Sequence, residues 1–74
     1  MASKVNLSAA TRLTEARKIA GYISASDAIK YCLWASPAYY QHEAGELEIS
    51  PEDAQKYADA YKVSAHWILT GAHQ

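Results

Sequence analysis

Seventy-four residues, half of them apolar and a fifth charged, make room for one domain with one small core and exclude a disordered chain. A net charge of −1 sets the chain apart from strongly basic nucleic-acid binders, and no stretch approaches the ~20 apolar residues of a membrane helix. Cys32 is the only cysteine, so no intrachain disulfide forms, and the absence of an N-terminal apolar run or export signal predicts a reducing, cytoplasmic setting.

Turn residues divide the chain into five predicted helices, at 8–20, 24–32, 36–43, 50–61 and 64–70. Ser8 is placed to cap the first, whose inner face is Ala9, Leu13, Ala16 and Ala20, and Gly21 supplies its left-handed stop. Ser24 or Ser26 caps the second, with Ala25, Ala28, Ile29 and Cys32 as its inner stripe. Leu33, Trp34 and Ala35 form a tight connection. The third helix opens at Ser36 with Pro37 in its first turn, turns Tyr39 and His42 inward, and closes at Gly45. The fourth has the clearest start: Ser50 as cap, Pro51 as first helical residue, Glu52 and Asp53 at the positive end of the helix dipole. Its apolar face is Ala54, Tyr57, Ala58 and Tyr61. Ser64 caps the fifth, Trp67, Ile68 and Leu69 are its apolar content, and Gly71 ends it. No window alternates in the manner of a strand, so the expected fold is all-α, a compact five-helix bundle.

Charge is unevenly spread. Lys4, Arg12, Arg17, Lys18 and Lys30 outweigh Glu15 and Asp27 in residues 1–42, a balance of +3. Lys56 and Lys62 are outweighed by Glu43, Glu46, Glu48, Glu52, Asp53 and Asp59 in residues 43–74, a balance of −4. One face can approach phosphates while another repels them.

The segment from Leu13 to Gly21 resembles the first helix of the Cro/phage-repressor (xenobiotic-response-element) helix-turn-helix family. Ser36-Pro-Ala-Tyr-Tyr-Gln-His-Glu-Ala-Gly45 resembles that family's recognition helix, and residues 50–61 followed by 63–71, ending Trp67-Ile-Leu-Thr-Gly71, resemble its last two helices. The resemblance spans residues 11–71 without a gap. It implies a phage-repressor-like domain and a sequence-specific transcription regulator acting on double-stranded DNA as a homodimer, near the nucleoid. In that reading the second helix crosses the DNA backbone and the third enters the major groove. Ser36, Pro37, Ala38, Tyr40 and Gln41 then face DNA, with Gln41 able to pair bidentately with adenine. Ser24, Ser26 and Lys30 lie toward phosphates, and Arg17 pairs with Glu43 to tie the first helix to the third. The sequence departs from the family pattern at Leu33, where a turn glycine is usual, and at Ala35, where the family caps its recognition helix. The recognition helix has no Lys or Arg, and Glu46 and Glu48 follow it.

These departures support a second expectation: a protein-interaction module on the same scaffold, partnering another regulator in a heteromer without strong DNA binding. An antitoxin role is a weaker third, since no spare tail is present to wrap a toxin. The spacing of His42, His66 and His73 fits no zinc pattern, so no metal or other cofactor is expected. Ser, His and acidic residues form no catalytic arrangement, so the chain is read as a non-enzyme without a small-molecule substrate. Tyr57, Tyr61 and Trp67 sit at core spacing. Tyr40, Ile19 and Leu47 are expected at the surface, and helix five is the expected dimer face.

Overall fold

The computed structural model describes residues 4–72, with side chains described from Ala9 onward; His73 lies outside them. Helix α1 spans Lys4–Ile19. It starts a full turn before the expected Ser8 cap, which is an interior helical residue. Residues 4–8 contain neither Gly nor Pro, and once a helix is nucleated each added residue gains a hydrogen bond. Ala10, Leu13, Ala16 and Arg17 face inward, whereas Ala20, expected on that face, lies beyond the helix end and is exposed. Gly21, at φ 103°, turns the chain out: its N–H donates to the Lys18 carbonyl and that of Tyr22 to the Arg17 carbonyl, a Schellman stop.

Helix α2 (Ala25–Cys32) is capped by Ser24, whose hydroxyl accepts from the Asp27 N–H at 3.1 Å, which settles the choice between Ser24 and Ser26. It ends on Leu33 in a left-handed conformation, φ 60° and ψ 45°. The turn is therefore built with the glycine-like geometry but without the glycine, and the side chain is held in a conformation that costs an L-residue about 1 kcal/mol or more. Helix α3 spans Ser36–Ala44. The expected Ser36 cap is not formed: Ala35 occupies the cap position with no side-chain hydrogen bond, and Ser36 is already helical. Helices α4 (Pro51–Tyr61) and α5 (Ala65–Thr70) begin at the expected caps, Ser50 and Ser64, each accepting an N–H at 3.1 Å.

The described residues are all helical in their regular structure, with no strand. Helix α1 is the central rod, packing against all four others, while α4 packs on α5 and α2 on α3. The radius of gyration is 11.2 Å, close to the ~11 Å of a folded single domain of this length.

The core is built from alanine and tyrosine. Ala16, Ala28, Ala54 and Ala58 let the helices approach closely, and Leu13, Ile68 and three tyrosines fill the remaining space. Trp34 stacks on Tyr39, ring centres 5.2 Å apart, and meets Tyr57 and Tyr61 edge-on at 4.8 and 5.6 Å. Such tilted pairs satisfy the ring quadrupoles. Each buried hydroxyl has a partner: Tyr39 bonds Tyr61 at 2.5 Å, and Tyr57 bonds His42 Nδ1 at 2.8 Å. Burial pushes all three phenols well above their ordinary value, so they stay neutral. Among the described residues no buried side-chain nitrogen or oxygen lacks a partner, which lets a core this rich in hydroxyls hold a single arrangement.

Candidate nucleic-acid interface

Helix α3 is divided by its own periodicity. Tyr39 and His42 are buried and anchor it to α4, while Ser36, Pro37, Tyr40 and Gln41 are exposed. Ala38 is half-buried and contributes only part of its surface to the outward face. Tyr40 is 48% exposed beside fully buried Tyr39, as the side-chain geometry of consecutive helical positions requires.

The open end of α3 carries unused donors. Pro37 has no N–H, and with no side chain capping the helix the N–H groups of Ser36 and Ala38 have no cap acceptor. Helix N-terminal N–H groups of this kind, with the dipole behind them, favour an anion. On α2, Ser26 and Lys30 are exposed, while Ser24 is half-buried and its hydroxyl is already used as the cap. The Ser24 oxygen accepts the cap bond, so only its hydroxyl hydrogen is left to donate to a phosphate.

One guanidinium fixes the relation of these elements. Arg17 Nε lies 2.8 Å from Glu43 Oε2, both side chains nearly inaccessible. Its Nη1 donates to the carbonyls of Tyr22 and Ile23 at 3.0 and 2.7 Å. Arg17 thus joins α1, the α1–α2 turn and the C-terminal half of α3. A guanidinium presents several donors on separate nitrogens in a fixed fork, so it serves three acceptors through Nε and Nη1 at once, which a lysine's single nitrogen does not reproduce.

The electrostatics of the surface are mixed. Lys18 and Lys30 are exposed on α1 and α2, while Glu46, Glu48 and Glu52 are exposed after α3 and at the start of α4. Neither Lys nor Arg lies on α3 itself. Among the described residues no group of three His, Cys, Asp or Glu side chains is placed to hold a metal ion. No helix there is long and apolar enough to cross a membrane.

The sequence signals missed a second feature. Ile23 (87% exposed), Tyr31 (74%) and Leu33 (88%) stand in solvent in and around α2, besides Ile19, Tyr40 and Leu47, which had been expected outside. Helix five, the expected dimer face, spends its apolar residues internally: Ile68 is buried, and Trp67 and Leu69 pack against the core. A left-handed Leu33 points its side chain away from the bundle, and a periodicity count that scores every apolar residue as inward cannot see this. No family model, curated protein or solved structure matches the chain.

Proposed function

We propose that the chain is a DNA-binding transcription regulator of the phage-repressor type. In this reading α2 and α3 are the helix-turn-helix, α3 is the reading helix, and two copies act together on a two-fold operator. The observation that carries it is the division of α3: two buried anchors on one side, an exposed polar face of Ser36, Pro37, Tyr40 and Gln41 on the other. A helix held this way can enter a major groove ~12 Å wide. The uncapped N–H groups of Ser36 and Ala38 and the exposed Lys30 would meet phosphates, which position the helix, and Gln41 would read an adenine edge.

Selection from a random double-stranded pool at low salt tests this. Enrichment of a symmetric site, with half-sites about 34 Å apart or a multiple of it, is expected. A pool that stays random after repeated rounds refutes direct sequence reading. In the selected site, Gln41→Ala should relax preference at one base position by ~1–3 kcal/mol without changing the fold.

A second reading is favoured by a different observation. Large apolar side chains exposed around α2, together with a reading helix free of positive charge, suit a protein partner better than a polyanion. Under this reading the chain joins another regulator and contacts DNA weakly or not at all. Lysine substituted at Ile23 and Tyr31 separates the two: it should leave DNA selection intact or strengthen it under the first reading, and abolish heteromer formation under the second.

A further inference from the structure

Among the described residues, Arg17 and His42 are the two buried side chains that can carry a positive charge. Arg17 has a full counter-charge in Glu43. His42 does not. Its Nδ1 is hydrogen-bonded to the Tyr57 hydroxyl at 2.8 Å, and its Nε2 lies 3.8 Å from Asp53 Oδ2, beyond hydrogen-bond reach. Asp53 is itself shared with Lys56 at 3.4 Å. The ring also borders a cleft of about 460 Å³ between α1, the 45–50 loop, α4 and α5.

We propose that neutral His42 is the positioning residue of α3, pinning its C-terminal half and the 45–50 loop to α4 through Tyr57, and that protonation of the ring releases this attachment. The functional half of the inference rests on α3 being the DNA-contacting helix; the structural half does not. A neutral imidazole needs one partner that donates and one that accepts, and Tyr57 can serve as either. An imidazolium donates from both nitrogens, so the Tyr57 hydroxyl must turn its own hydrogen away, and a positive charge then sits among buried side chains.

The groups facing the ring decide the sign. From α4, the Asp53 carboxylate favours the charged form and Lys56 opposes it. From the loop, the Glu48 backbone favours it, while the Glu46 and Glu48 side chains are exposed. On α3 itself Glu43 is committed to Arg17. Among the described side chains of α1 and α5, Ala9, Ala10 and Leu69 line the shared cleft, and none of them is charged. Burial outweighs the favourable groups and holds His42 below its ordinary value. The unfolded chain therefore takes up this proton first, near pH ~6.5. The stability contributed by neutral His42 is complete above that pH and is lost as pH falls through the folded-state value.

Amide-exchange protection factors and urea unfolding of the full chain, from pH 7.5 to 5, test the proposal. The folding equilibrium constant should fall as pH drops below the unfolded-state value of ~6.5, because the unfolded chain then binds the proton more readily than the folded one. Protection in residues 38–50 should fall before that in 51–61. Asp53→Asn should move the transition to lower pH by removing the carboxylate that favours the proton. His42→Gln, which can still hydrogen-bond Tyr57, should flatten the profile if it folds. A wild-type profile flat over this range, simultaneous loss of protection in all helices, or an Asp53→Asn transition unmoved would each overturn the pin. Loss of DNA selection at pH 7.5 with the exchange pattern intact would instead remove the DNA reading and leave the pin standing.

Discussion

The α4–α5 pair and the α2–α3 pair are built from the same chain to different standards. In α4–α5 each helix begins at a serine cap with its hydroxyl on an amide 3.1 Å away, and the residues before the caps, Ile49 and Val63, pack against the core. In α2–α3 one helix start is capped and the other is not, and Ile23, Tyr31 and Leu33 are turned to solvent. Left-handed backbone alone does not separate the pairs, because Lys62 ends α4 at φ 62° just as Leu33 ends α2 at φ 60°. What separates them is the side chain placed there: Lys62 is at home in water, Leu33 is not. Natural chains break local rules mainly where function requires it, and here the breaks gather beside the proposed interface.

The largest test of this comparison lies where Arg17 ties the α2–α3 pair to α1. Arg17→Met leaves Glu43 buried without its counter-charge and two carbonyls without a donor. A loss of ~3–5 kcal/mol is expected in urea unfolding, enough to unfold a domain of marginal stability. Adding Glu43→Leu should restore part of it, since removing both charges avoids the orphan; a double variant as unstable as the single would mean that the carbonyl contacts, not the ion pair, hold the joint. Inside the scaffold, Tyr39→Phe removes the partner of the buried Tyr61 hydroxyl. A loss of about 1–3 kcal/mol is expected. The Tyr39→Phe, Tyr61→Phe double variant should lose less than the two singles added together, because neither leaves an orphan in the absence of the other.

The parts of the fold written in local chemistry were legible. Ser50-Pro51, Ser64, Gly45 and Gly71 announce helix ends through hydrogen bonds and φ values that depend on neighbours in sequence. The parts that depend on distant partners were not. His42 and Tyr57 lie in different helices, and nothing in spacing shows that their polar atoms meet. The Arg17–Glu43 pair was expected only through a family resemblance, although it is seen here at 2.8 Å. Ile23, Tyr31 and Leu33 were unreadable for the opposite reason: apolar type predicts burial on average, and these three side chains depart from the average. Of the outward residues on α3, Tyr40 follows from its place beside inward-facing Tyr39 and Gln41 only from the family resemblance; both are exposed, while Ala38 is half-buried.

Leu33→Gly asks whether the α2–α3 turn stores strain. Glycine adopts φ 60° without the Cβ penalty, and the exposed leucine side chain forfeits little packing when removed. A gain of ~1 kcal/mol in unfolding free energy is expected, part of it offset by the greater freedom of glycine in the unfolded chain. Lys62→Gly supplies the control, with a similar gain in the orderly pair. If Leu33→Gly stabilises less than Lys62→Gly, the leucine side chain is making a favourable contact that its exposure conceals, and the contrast between the two regions weakens.

The smallest expected effect is the most discriminating. Ala35→Ser would place a hydroxyl at the cap position of α3, where the backbone is already extended (φ −74°, ψ 117°). Pro37 has no N–H, so the new oxygen has one natural donor, the N–H of Ala38. Thermal unfolding should then show a gain of about 0.5–1 kcal/mol, the mirror image of the loss expected for Ser50→Ala in α4. Under the proposed DNA reading the same bond would occupy an amide meant for a phosphate, so affinity for the selected duplex should fall while stability rises. A variant that gains stability and keeps its affinity would show that the bare end of α3 is a missed cap and not an opening left for an anion.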